Sequence, residues 1–133
     1  MLHVEHIGIA VKQLESAEKL FAALFQASPY KREVVDSEKV ATAFFKINQT
    51  KIELLEATSP DSVIAGFIEK KGEGFHHIAF EVDDIVAEMA RLKSEGFILL
   101  NETPKKGADN KLVCFLHPKS TNGMLIELCQ EIR

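Results

Sequence analysis

The chain has 133 residues, 46% of them apolar and 27% charged, with a net charge of −4 at pH 7. That size fits one compact unit or two small interlocked modules, and the acidic balance argues against a nucleic-acid surface. No apolar run approaches the ~20 residues of a membrane span. The only two cysteines, Cys114 and Cys129, lie inside apolar strand patterns and read as buried small hydrophobes rather than a disulfide. The first strand starts almost at Met1, which leaves no room for a leader. The expected compartment is the cytoplasm.

Taken in order, residues 2–11 read as a strand, with Ile7, Ile9 and Val11 on one face and Val4, His6, Gly8 and Ala10 on the other. Leu14, Ala17, Leu20, Phe21, Leu24 and Phe25 recur at helical spacing and predict a helix over 14–26, ended by Ser28-Pro29. Lys31–Asp36, Val40–Asn48 and Lys51–Ala57 read as three strands separated by polar turns. A linker over 58–74 follows, with a short helix starting around Ser59-Pro60-Asp61-Ser62 and stopping at Gly72 and Gly74. The pattern then restarts. His77–Val82 is a strand and Ile85–Glu95 a helix. Phe97–Asn101, Leu112–His117 and Met124–Gln130 are strands.

The order β-α-β-β-β is thus read twice, over about 2–57 and 75–131. Each half of about 65 residues would be marginal alone, so the expectation is a single domain spanning 1–133 with a shared core or sheet. The repeat extends to polar residues. His6-Ile7-Gly8-Ile9 matches His77-Ile78-Ala79-Phe80, and Ile52-Glu53-Leu54-Leu55 matches Ile126-Glu127-Leu128-Cys129. Alternation puts His6, Glu53, His77 and Glu127 on the faces opposite the bulky apolar ones, which the helices must cover. Two histidines and two glutamates on such a face predict a metal site. Without thiolates the donor set suits a borderline or hard divalent ion, Co²⁺, Mn²⁺, Ni²⁺, Zn²⁺ or Fe²⁺. His76 competes with His77, and the repeat register favours His77, which precedes Ile78 as His6 precedes Ile7.

These residues resemble the vicinal oxygen chelate superfamily. The segments Glu5–Val11, Lys51–Leu55, Asp61–Ala65, Gly74–Ala79, Phe115–Lys119 and Gly123–Leu128 are similar, within it, to the methylmalonyl-CoA epimerases. The resemblance implies an α+β fold of two tandem βαβββ modules forming a cupped, barrel-like mixed sheet with helices outside. It implies metal ligands at His6, Glu53, His77 and Glu127, with Co²⁺ as the ion. The implied reaction interconverts (2R)- and (2S)-methylmalonyl-CoA by α-proton abstraction, with Glu127 as the first base. Some epimerases carry a further glutamate where this chain has Thr42, so the acid for the opposite face is unassigned and Thr42 is read as a plain strand residue. Lys105, Lys106, Lys111 and Lys119 are the candidates for the CoA phosphates. A homodimer, with neither nucleic acid nor membrane as partner, is implied. The rival readings are a glyoxalase I-like lyase, an extradiol dioxygenase, and a metal-free binding protein of the same fold. Fold decides among none of them.

Overall fold

The structure is a computed structural model and describes residues 1–132. The chain forms two compact units, Ile7–His76 and the combination of Met1–His6 with His77–Arg133. The boundary falls within β1 (His3–Ala10), so the first strand contributes to both.

In the Ile7–His76 unit the elements are α1 (Leu14–Phe25), β2 (Lys31–Val35), β3 (Val40–Ile47), β4 (Thr50–Ala57) and α2 (Val63–Lys71). The strands run β2-β3-β4-β1. Both hairpin pairs are antiparallel, and Phe44 stands opposite Glu53. Ile9, Val11, Phe45, Ile52 and Leu54 meet the apolar stripe of α1, formed by Leu14, Ala17, Phe21, Ala22 and Phe25. A carboxylate from β4 closes the start of that helix. The Leu14 amide donates to Glu56 Oε1 at 2.5 Å, which satisfies an orphan donor and opposes the positive end of the helix dipole. Helix α2 begins after Ser62 rather than Ser59. The Ser62 hydroxyl accepts from the Ala65 amide at 3.2 Å, while the Ser59 hydroxyl is taken up by Asp61. Ile64, Phe67 and Ile68 of α2 pack with Ala10, Val40 and Leu55. The linker helix therefore covers a face that alternation had left open.

In the second unit the elements are the His77–Glu81 part of β5 (Gly74–Glu81), α3 (Ile85–Ser94), β6 (Lys105–Lys106), β7 (Lys111–Leu116) and β8 (Ile126–Glu131). The order is β1-β5-β8-β7-β6. Strands β5 and β8 are parallel, with Ala79 opposite Glu127. Strands β7 and β8 are antiparallel, with Phe115 opposite Glu127. Period-two alternation divides the unit into two layers. Cys114, Leu116 and Leu128 pack on Ile85, Met89 and Leu92 of α3. On the other face Ala79, Val113, Cys129 and Phe115 cluster. His77 and Glu127 sit two residues from Ala79 and Cys129, so alternation turns them to this second face.

Helix α3 is capped at both levels of its first turn. Asp84 Oδ1 accepts from the Ala87 amide at 3.1 Å, and Gln130 Oε1 accepts from the Ile85 amide at 2.8 Å. Replacing Asp84 with Ala is expected to cost about 1 kcal/mol, measured as a shift of the urea midpoint with unchanged slope.

One expected strand is not formed. Phe97–Asn101 makes a single bridge, Leu99 to Leu116, flanked by Leu100 N–H to Phe115 O and His117 N–H to Ile98 O. The Asn101 side chain ends the pairing there. Its Oδ1 accepts from the Phe115 amide at 3.1 Å, and its amide group donates to Thr103 O at 2.7 Å. The short β6 takes the edge beside β7 instead. Gly107 makes that approach possible, because a Cβ there would lie 2.9 Å from Val113 Cγ1.

Candidate metal centre

The second unit brings together three of the four expected ligands. His6 comes from β1, His77 from β5 and Glu127 from β8. All three are buried, at 6%, 7% and 5% exposure. His6 Nε2 lies 3.0 Å from His77 Nε2 and 3.4 Å from Glu127 Oε1. His77 Nε2 lies 3.2 Å from the same Oε1. The two rings stand at 90°, with centroids 5.1 Å apart, and Phe115 meets the His77 ring edge-on at 6.0 Å. His76 belongs to the other unit and packs against Phe67 at 4.9 Å.

This donor set fits a divalent cation on three counts. Two ligands about 2.1 Å from one ion, at octahedral or tetrahedral angles, are about 3.0–3.4 Å apart, and the three observed separations fall in that range. The second count is tautomer. An ionised carboxylate can only accept, so Glu5 Oε1, 2.7 Å from His6 Nδ1, puts the ring proton on Nδ1. The lone pair of Nε2 then faces His77 and Glu127. The third is charge. With neutral imidazoles, the buried carboxylates Glu5, Glu81 and Glu127 outnumber the buried ammonium Lys111 by two among these described side chains. Uncompensated buried charge is costly, and a divalent ion balances this excess.

Burial alone would push the Glu127 carboxyl up. Protonated on Nε2, His6 and His77 would outweigh that with their charge and hydrogen bonds and hold it well below the usual carboxylate range, whereas a neutral ring with its lone pair on this side exerts no such pull. Glu5, His6 and Cys129 also come within reach of one another, but burial, reinforced by Glu127, Glu5 and Glu81, raises the Cys129 thiol far above its ordinary value. A protonated thiol is a poor ligand. Burial likewise raises Cys114.

Glu53 is buried on β4 of the Ile7–His76 unit. Thr42 is also buried there, and its Oγ1 donates to Glu33 O at 3.4 Å. Of the four lysines considered for phosphate binding, Lys105 and Lys106 are exposed on β6, and Lys119 is exposed in the short turn Pro118–Ser120. Lys111 departs from that expectation. It is buried, with Nζ 2.7 Å from Glu81 Oε1 and 3.8 Å from Glu5 Oε2, and does not face an external phosphate. Glu5 and Glu81 were absent from the expected site. Glu81 shares the parity of His77, a signal that was available; Glu5 has the opposite parity to its neighbour His6 and carried none.

Residues 5–115 match the family described as the Glyoxalase/Bleomycin resistance protein/Dioxygenase superfamily. The chain belongs to that superfamily, and its fold is the paired βαβββ fold of the vicinal oxygen chelate enzymes. It is 42% identical over 129 residues to the ethylmalonyl-CoA/methylmalonyl-CoA epimerase of Cereibacter sphaeroides, covering 96% of each chain. It is 40% identical over 128 residues to the mitochondrial methylmalonyl-CoA epimerase of Homo sapiens, covering 96% of this chain and 73% of that one. The structure of a single-substitution variant of Streptomyces coelicolor methylmalonyl-CoA epimerase in complex with 2-nitronate-propionyl-CoA matches with a TM-score of 0.97 at 32% identity, covering 100% of this chain and 99% of that one. These relatives are isomerases of the epimerase class.

Proposed function

We propose that this protein interconverts (2R)- and (2S)-methylmalonyl-CoA in a divalent-metal-dependent reaction. The observation that carries the reading is the inward-facing cluster of His6 Nε2, His77 Nε2 and Glu127 Oε1, in a chain similar over nearly its whole length to named epimerases. His6, His77 and Glu127 would hold the ion, and Glu53 is carried over from the family likeness as the fourth ligand. Co²⁺ is the ion the likeness favours. When bound, the ion supplies a Lewis acid that stabilises negative charge developing on the thioester oxygen.

The chain's own residues do the rest. The substrate α-proton lies between a thioester carbonyl and a carboxylate and is acidic for that reason. Glu127 approaches both imidazoles through Oε1, and Oε2 is the atom proposed to take the proton. Glu5 keeps the His6 proton on Nδ1, away from the reacting side. Inversion requires proton return on the opposite face of the planar carbanion. Thr42 has no group of suitable acidity, and its hydroxyl is bonded to a backbone carbonyl, so another group performs that step. Lys105, Lys106 and Lys119 are proposed to meet the CoA phosphates, in a homodimer working in a reducing compartment that suits two buried free thiols.

The test pairs two substrates. The Co²⁺-loaded protein is given (2S)-methylmalonyl-CoA with an auxiliary mutase that accepts only the (2R) isomer. In parallel it is given the hemithioacetal of glutathione and methylglyoxal. Mutase product from the first and no thioester from the second is the expected result. Thioester formation without isomer interconversion would replace this reading with a glyoxalase I-like lyase.

A further inference from the structure

Behind His6 lies a buried chain of charges that the reaction does not itself require. Lys111 Nζ is 2.7 Å from Glu81 Oε1 and 3.8 Å from Glu5 Oε2. The other Glu5 oxygen, Oε1, is 2.7 Å from His6 Nδ1. The far nitrogen of the same ring faces His77 and Glu127. These side chains are all buried and belong to one compact unit. Glu5, Glu81 and Lys111 come from β1, β5 and β7, so side chains of three strands form the chain behind one imidazole.

An imidazole in a ligand shell has two freedoms that weaken it, ring rotation and the choice of tautomer. A carboxylate on the outer nitrogen removes both and makes the inner nitrogen more basic. A carboxylate with one oxygen on Nδ1–H and the other turned to an ammonium is itself held in place. We propose that Glu5 is a positioning residue for His6, anchored by Lys111, which Glu81 in turn holds. The inference rests on the metal reading of the His6–His77–Glu127 cluster. It assigns to Lys111 an internal task in place of substrate binding.

The experiment is Co²⁺ competition against a chelator, read together with the visible absorption of the bound ion, on the wild-type protein, Glu5→Ala and Glu5→Gln. Metal-free thermal unfolding establishes which variants fold. Glu5→Ala is expected to bind Co²⁺ on the order of 10–100-fold more weakly, with shifted absorption bands, because the ring is free to turn. Glu5→Gln keeps an oxygen acceptor for Nδ1–H and should fall between the two. It carries the comparison alone if Glu5→Ala does not fold. A purely structural role would lower the unfolding temperature but leave affinity and spectrum of the folded protein unchanged, and that result overturns the inference. Wild-type protein that takes up no Co²⁺ overturns the metal reading itself, and this inference with it.

Discussion

Glu127→Gln is expected to slow α-proton exchange at saturating metal by about 10²–10⁴-fold, the usual contribution of a positioned base. The amide keeps a carbonyl oxygen where Oε1 now meets His6 and His77, so an ion can still be held. Affinity should fall as well, because a neutral amide replaces an anionic carboxylate ligand. Elemental analysis and isotope exchange on the same sample separate the two effects. Equal losses of metal and exchange would make Glu127 a ligand only. A variant that exchanges as fast as wild type would remove it from the chemistry altogether.

Lys111→Met should be the most destabilising of the substitutions considered. The lysine side chain is only 7% exposed and its partner Glu81 11% exposed, with Glu5 on the other side. Removing the cation takes away the ammonium that the buried Glu81 and Glu5 carboxylates both face. Breaking a buried pair in this way costs about 3–5 kcal/mol, against about 0–1 kcal/mol for an exposed one. Urea unfolding measures the difference. Adding Glu81→Leu should recover much of the loss, because an apolar pair of similar volume can replace a buried ion pair. A loss of 1 kcal/mol or less in the single variant would mean that water reaches the pair, and that Lys111 is not an internal anchor.

The two substitutions also mark how far the site can be read without coordinates. His6, His77 and Glu127 are legible because strand alternation fixes their side, and because the repeat places each at an equivalent strand position. The three approach one another within 3.4 Å. The Lys111–Glu81–Glu5 chain is not legible in the same way. The strand there was expected to begin at Leu112, which leaves Lys111 in a basic loop. It begins one residue earlier, and that shift turns the lysine inward. Glu5 meets His6 although the two are neighbours in a strand and alternate in direction, so period-two reasoning points away from the contact.

Elements show the same contrast. Helices α1 and α3 follow the apolar spacing to within a residue or two of the expected ends, since each has a continuous stripe to bury. The Phe97–Asn101 segment has apolar residues, but Asn101 diverts the Phe115 amide to its own side chain and the ladder stops. Strand β6 consists of two lysines, and an edge strand made of charges carries no apolar signal. The start of α2 turned on which of two serines caps it. Only the position of the Ala65 amide beside Ser62 decides that.

The most direct test of the central claim is α-deuterium uptake by (2S)-methylmalonyl-CoA in D₂O, followed by mass spectrometry. The protein is loaded with Co²⁺, then stripped with a chelator, then reloaded. The account predicts rapid uptake with metal, loss on stripping and recovery on reloading. Uptake that survives complete metal removal, or no uptake with Co²⁺ demonstrably bound, would contradict it.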